Sequence, residues 1–362
     1  MVRRALLSAG GTGGHLFPAQ ALAQELKSRG WRIHLATDQR AQKFAADFAA
    51  DDIHVIRSAT FAGKSPMALV KTFGVLAGGY FASRRLISTI EPDVAVGFGG
   101  YPTVPPLLAA VHKGVPSILH EQNAVLGRAN TFLAGRVNAL ATGFPLAKSE
   151  HKHVVTGNPL REIVHLAARL NYETPAEGGR LRLLVFGGSQ GARFFSQIMC
   201  EALASMTPDL RDRIDLTMQT REEELEPTKS VLSKLDMQAK LAPFFGDMPM
   251  RIAKSHLVMC RSGASSVSEL ALIGRPAILV PFPTALDDDQ GANAARLETE
   301  GGAVLVRQKD MDAPRLTAML EDALKNPKQL AIQAANAKRA GVADASQRLA
   351  NLVEAQLRVK ER

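Results

Sequence analysis

The sequence predicts an α/β protein made of two Rossmann-like domains with parallel sheets, and three observations carry that expectation. At 362 residues the chain is longer than one ordinary hydrophobic core serves, which favours two domains. Short apolar runs alternate along its whole length with longer runs of helical period. That alternation is the signature of parallel strands covered on both faces. The two halves also open alike: Leu6-Leu7-Ser8-Ala9-Gly10-Gly11-Thr12-Gly13-Gly14 matches Leu183-Leu184-Val185-Phe186-Gly187-Gly188-Ser189-Gln190-Gly191 position by position. Each reads as strand, glycine loop and helix start.

In chain order, strands are expected at 3–9, 32–37, 54–57, 94–97, 117–121 and 137–142, then at 181–186, 214–219, 257–260, 277–281 and 303–306. Segments 18–29 and 267–274 carry the helical period between them. The opening residues are too short an apolar run for a signal peptide and end in a glycine loop, so they read as the first strand. No apolar run approaches the ~18 residues of a membrane span. Turn residues at Gly157-Asn158-Pro159 and in 173–179 place the domain boundary, giving domains 1–159 and 160–342. Residues 343–362 hold an amphipathic helix, with Leu349, Leu352, Val353, Gln356 and Leu357 on one face, expected to pack back on the first domain.

Composition narrows the function. Cys200 and Cys260 lie in apolar stretches without metal or disulfide spacing, which suits a reducing compartment. The net charge of +9 admits nucleic acid, an anionic membrane surface or a phosphorylated substrate as partner. Aromatics are only 5% and no basic run interleaves with them, so nucleic acid is disfavoured.

Several strand-to-helix loops could hold an anion. Gly10-Gly11-Thr12-Gly13-Gly14-His15 lets backbone N–H groups approach a phosphate at a helix start, although Leu16 breaks the dinucleotide fingerprint and the P-loop lysine is missing. Gly187-Gly188-Ser189-Gln190-Gly191 is a second such loop, and Gly97-Phe98-Gly99-Gly100-Tyr101 a third. Residues 260–269 form a fourth, rich in small side chains, with Glu269 placed to accept from ribose hydroxyls. His120-Glu121-Gln122-Asn123 puts four polar residues at a strand's carboxyl end, where α/β sheets bind ligands. Asp287-Asp288-Asp289 are adjacent on one loop and converge poorly on a metal, so no metal and no cofactor are expected.

Together GGTGGH (10–15), GFGGY (97–101), HEQN (120–123), GNPLR (157–161), GGSQGA (187–192), the 260–269 loop and the Gln290/Asn293 pair resemble the MurG family of bacterial peptidoglycan N-acetylglucosaminyltransferases. The motifs run in order over almost the whole chain. The resemblance implies a GT-B fold, two Rossmann-like domains facing across a cleft, and inverting transfer of N-acetylglucosamine from UDP-N-acetylglucosamine. The implied acceptor is undecaprenyl-pyrophosphoryl-MurNAc-pentapeptide (lipid I), giving lipid II at the cytoplasmic face of the inner membrane, with cell-wall synthesis and division proteins as further candidate partners.

By the same resemblance Ser189 and Arg161 approach UDP. The backbone at Phe245, bulkier than the family's aliphatic residue, reads uracil. Ala264, Ser265, Ser266, Val267, Ser268 and Glu269 cradle diphosphate and ribose. Gln290 and Asn293 meet the sugar, with Asp289 as a competing side chain. Thr12, Gly13, Gly14 and Asn123 complete the donor site, and Gly11, Gly99, Gly100 and Tyr101 take the acceptor pyrophosphate.

The favoured base is His15, because a helix start disfavours a cation and a neutral imidazole accepts a proton. His120 and Glu121 stand in reserve, and Glu121 could equally orient a partner. Residues 63–86 mix Met67, Leu69, Val70, Phe73, Leu76, Tyr80 and Phe81 with Lys64, Lys71, Arg84 and Arg85, a composition suited to an anionic membrane surface or to a core helix with a basic face. A UDP-sugar 2-epimerase, a GT-B transferase with another acceptor and a non-catalytic nucleotide-sugar binding protein remain the alternatives.

Overall fold

The computed structural model describes residues 2–10, 13–39, 48–58, 66–146, 150–188, 193–283 and 287–360, without the side chains of 66–73 and 358–360. The chain divides into two compact units, Met1–Arg161 with Asp344–Arg362, and Glu162–Ala343. Each is a parallel sheet with helices on its faces, so the chain carries the two Rossmann-like domains of a GT-B protein.

The first unit holds β1 (Arg4–Ser8), β2 (Arg32–Thr37), β3 (Asp52–Val55), β4 (Val94–Gly97), β5 (Ser117–Glu121), β6 (Ala139–Thr142) and β7 (Val154–Val155), in the spatial order β3-β2-β1-β4-β5-β6-β7. The second holds β8 (Leu181–Phe186), β9 (Ile214–Gln219), β10 (Ala239–Ala242), β11 (Leu257–Cys260), β12 (Ala277–Leu279) and β13 (Ala303–Leu305), in the order β10-β9-β8-β11-β12-β13. The central strands β1, β4 and β5 are buried along nearly their whole length, as their unbroken apolar runs require.

The edges are where sequence periodicity fails. The short strands β7 and β10 were not expected from the sequence. Both residues of β7 are exposed, and β10 reads Ala-Lys-Leu-Ala without a buried face. Backbone pairing to β6 and β9 makes them strands, not burial of their own side chains. β3 begins two residues earlier than the expected 54–57, because its register is set by pairing with β2 from His34↔Asp52 to Thr37↔Val55. Two helices also start early. The first runs Gly13–Ser28 with Pro18 inside it, whereas a proline ordinarily marks the first turn. The other runs Ala264–Ile273 and closes on Gly274, whose φ of 76° is the left-handed cap glycine allows.

The helix Ala345–Lys360 belongs to the first unit. Leu349, Ala350, Val353 and Leu357 enter the core shared by Leu16, Ala19, Leu22 and Leu26 of Gly13–Ser28. At the rim of this packing Arg29 bridges Glu25 at 2.8 Å and Glu354 at 3.1 Å. Cys200 and Cys260 are free and buried, and burial pushes both thiols up, which makes them inert packing residues.

Candidate active site

In the first unit the direction of sheet growth reverses between β1 and β4, whose carboxyl ends pair at Ser8↔Gly97. Ligand crevices of α/β sheets lie at such a switch point. The two loops leaving it are in contact: a Cβ added at Gly10 would lie 2.6 Å from the Pro102 ring. Gly99 and Gly100 hold φ of 87° and 74°, left-handed values that exclude most side chains. Thr103 Oγ1 fastens this turn, lying 2.7 Å from the Gly99 carbonyl and 3.1 Å from that of Ser8.

His15 is the third residue of the helix Gly13–Ser28 and half-buried. A Cβ at Gly100 would stand 3.5 Å from its Nε2, so that edge of the ring faces the Gly99–Gly100 turn. The other edge meets the carboxyl end of β5, with His15 Nδ1 3.1 Å from Gln122 Oε1. Behind Gln122 lies His120, fully buried, with Nε2 3.1 Å from the Gly157 carbonyl. Burial pulls its pKa down to about 4, so the ring is neutral.

Glu121 is also buried and saturated. One carboxylate oxygen accepts from Asn123 N–H at 2.9 Å and Asn123 Nδ2 at 3.0 Å, the other from Gly127 N–H at 2.9 Å and Asn130 Nδ2 at 2.7 Å. It organises the loop that carries Asn123. Asn158 Nδ2 donates to the Gln122 carbonyl at 3.0 Å, and the Arg161 guanidinium lies 3.8 Å over the ring of Phe17, two residues beyond His15 on the same helix. Gly13, Gly14, His15, Gly99, Gly100, Tyr101, His120, Glu121, Asn123 and Arg161 therefore share one end of the first unit. Gly11 and Thr12 lie outside the described residues.

The second unit repeats the plan. β8 and β11 meet at the reversal of its sheet, their ends paired at Phe186↔Cys260. In the helix Ala264–Ile273 the first intrahelical bond is Val267 N–H to Gly263 O at 3.0 Å, and no side chain caps the end. The amides of Ala264, Ser265 and Ser266 thus precede the ladder, where a helix favours an anion. Glu269, buried, lies on the next turn with Val267 and Ser268 between.

Loops on this end are cross-braced. Gln219, at the end of β9, accepts from Gly187 N–H and donates to the Pro243 carbonyl, both at 3.1 Å. It ties the glycine loop to the segment carrying Phe245, whose ring stacks under Arg251 at 4.1 Å. Arg261, 7% exposed, donates to the Val280 and Pro281 carbonyls at 3.1 and 3.0 Å and to Gln308 Oε1 at 2.6 Å. Burial lowers its pKa to about 10, which leaves it charged.

Gln290 Oε1 accepts from Phe282 N–H at 3.0 Å, and Asn293, fully buried, donates to the Ser262 carbonyl at 3.2 Å. In this structure Asn293 braces the loop rather than presenting its amide at the surface. Of the three aspartates, Asp288 is held in a two-point pair by Arg307, one arm at 2.7 Å, which keeps its carboxyl below the usual range. Ser189 lies outside the described residues.

Gln122, Asn158, Gln219 and Arg261 carry bracing roles that sequence reasoning did not assign. Their signal was weak but present: each is a polar residue within two positions of a strand end or inside a quoted motif.

The comparisons agree from end to end. The Glycosyltransferase family 28 N-terminal domain matches residues 5–142, and the family's C-terminal domain matches residues 182–349. UDP-N-acetylglucosamine--N-acetylmuramyl-(pentapeptide) pyrophosphoryl-undecaprenol N-acetylglucosamine transferase of Brucella abortus (strain S19) is 54% identical over 97% of this chain and 93% of its own. The enzyme of the same name from Brucella melitensis biotype 2 (strain ATCC 23457) is also 54% identical over the same shares. Among solved structures, Acinetobacter baumannii MurG superposes with a TM-score of 0.79 at 27% identity, covering 97% of this chain and 99% of its own. A UDP-N-acetylglucosamine 2-epimerase superposes with a TM-score of 0.68 at 15% identity, covering 100% of this chain and 98% of its own, a likeness of fold alone.

Proposed function

The chain belongs to glycosyltransferase family 28, among its MurG members, and on that premise we propose how its two units divide the reaction. It is an N-acetylglucosaminyltransferase: it moves N-acetylglucosamine from UDP-N-acetylglucosamine to lipid I, making lipid II for peptidoglycan synthesis. The observation that carries our assignment of the site is the clustering, in each unit, of glycine loops and polar side chains at the carboxyl side of a sheet switch point.

We assign the donor to the second unit. The helix start at Ala264, Ser265 and Ser266 receives the diphosphate, Glu269 the ribose, and the backbone at Phe245 the uracil. Gln290 offers its carboxamide donors to the sugar, with Asn293 holding the loop beneath it, while Ser189 completes the second unit's contacts. Arg161 supplies a fixed cation toward the departing diphosphate. The first unit takes the acceptor, whose pyrophosphate meets the Gly11 and Gly99–Tyr101 loops.

His15 is the base. As the acceptor hydroxyl oxygen bonds to the anomeric carbon, its proton passes to His15 and the bond to the UDP oxygen breaks, UDP leaving with the electron pair. His120 and Glu121, one buried neutral and the other saturated with donors, are better suited to hold this end of the site in shape.

No helix among the described residues is long and apolar enough to cross a membrane, and we propose peripheral attachment. We place it at the cytoplasmic face of the inner membrane through the first unit. Lys64 and the side chains of Met67, Leu69, Val70, Lys71 and Phe73 lie outside those described, but Phe81 is 67% exposed on the same helix, Pro66–Ile90, with Arg84 and Arg85 exposed beside it. On the helix Arg128–Ala134 of the same unit Phe132 is exposed, with the Arg136 guanidinium 4.3 Å over its ring. Apolar rings rimmed by cations suit anionic lipid.

The test of the reaction is release of UDP from UDP-N-acetylglucosamine with and without a lipid I analogue, in detergent and EDTA. Acceptor-dependent release with a disaccharide product is expected. Donor turnover without acceptor would instead indicate epimerase or hydrolase chemistry.

A further inference from the structure

We infer that Gln122 is a positioning residue that fixes the tautomer of His15, placing the proton on Nδ1 and the lone pair on the Nε2 edge beside Gly100. The inference rests on the reading of His15 as the base, but its geometry stands apart from it.

Two backbone carbonyls, which can only accept, fix the hydrogen positions. His120 Nε2 is 3.1 Å from the Gly157 carbonyl, so Nε2 carries the hydrogen. The ring is fully buried and neutral, so its Nδ1 must be the acceptor. Gln122 Nε2 lies 3.2 Å from that Nδ1 and 3.2 Å from the His120 carbonyl. A flipped amide would set its oxygen against two acceptors at once, so the orientation is settled by the carbonyl. Gln122 Oε1 then faces His15 Nδ1 at 3.1 Å and can only accept from it. His15 therefore donates from Nδ1, and in its neutral form the lone pair sits on Nε2.

The Nε2 edge faces the Gly99–Gly100 turn, where a Cβ at Gly100 would come within 3.5 Å. An acceptor hydroxyl brought to this edge, with its pyrophosphate on the same loop, finds a lone pair already turned toward it, so no tautomer exchange precedes proton transfer. Asn158, which donates to the Gln122 carbonyl at 3.0 Å, fixes the backbone from which the relay hangs.

The test uses the full-length protein labelled with ¹⁵N-histidine, with the two rings assigned by loss of signal in His15→Gln and His120→Gln. In the wild type His15 is expected to show a protonated Nδ1 and a bare Nε2, and His120 the reverse. A protonated Nε2 on His15, or averaged nitrogens, would overturn the inference without any Gln122 variant having to fold. In Gln122→Met the His15 nitrogens are expected to average, kcat to fall about tenfold, and the UDP-N-acetylglucosamine Kd to stay within about twofold. An unchanged His15 tautomer in that variant also overturns it. If the tautomer relaxes while Gln122→Met and His15→Ala both keep wild-type kcat, the relay is upheld and the reading of His15 as base falls.

Discussion

Replacing Glu121 by glutamine is the most exacting test of how the first unit holds its site, because the two side chains differ only in charge and in one donor group. The carboxylate accepts four hydrogen bonds from Asn123 N–H, Asn123 Nδ2, Gly127 N–H and Asn130 Nδ2. A carboxamide keeps one acceptor oxygen and turns an NH2 against the other two donors. Two bonds to a charged group are lost, each worth about 1.5–3 kcal/mol, around a side chain only 1% exposed. The expected destabilisation is about 3–6 kcal/mol, a large share of a marginal stability of about 5–15 kcal/mol.

The assay is built into the sequence. Trp31 is the chain's single tryptophan and lies in the core of the first unit, so urea unfolding followed by its fluorescence reports on that unit. The midpoint should fall with the slope unchanged. A loss below about 1 kcal/mol would refute the claim that Glu121 organises the 122–127 loop through these four bonds.

Three further outcomes follow from the geometry. His15→Ala should lower kcat by about 10²–10⁴ while changing the donor KM little, and a wild-type kcat would remove His15 from the base role. Acid should weaken the first unit: His120 drops from an ordinary value of 6.5 to about 4 on folding, so only the unfolded chain takes up a proton between those values. Stability contributed by the neutral ring is complete above pH 6.5 and falls as pH descends, by about 2 kcal/mol at pH 5; Trp31-monitored unfolding at pH 7 and pH 5 measures it, and a gain on acidification would contradict the buried neutral ring. Phe81→Ser combined with Arg84→Glu should weaken sedimentation with phosphatidylglycerol vesicles and leave UDP-N-acetylglucosamine binding intact, whereas equal sedimentation would remove this face from membrane contact.

The sequence by itself determined the elements that bury apolar runs and the loops whose glycines must take special geometry. The unbroken runs of β4 and β5 and the repeated strand–glycine–helix openings are properties of local chemistry, so they can be read without coordinates. The same holds for family membership, which lies in the order of the motifs. Tertiary structure decided what depends on a partner far along the chain. The strands β7 and β10 exist because β6 and β9 offer them backbone groups, not because their residues prefer extension. Pro18 suggests a helix start, yet the helix begins at Gly13 and carries the proline inside it. The division of labour within His-Glu-Gln-Asn was equally invisible: four adjacent polar letters do not say that His120 answers Gly157, Glu121 answers Gly127 and Asn130, and Gln122 answers His15 across 107 positions. Hydrogen-bond direction is set by which neighbour can only accept or only donate, and those neighbours are brought together by the fold alone.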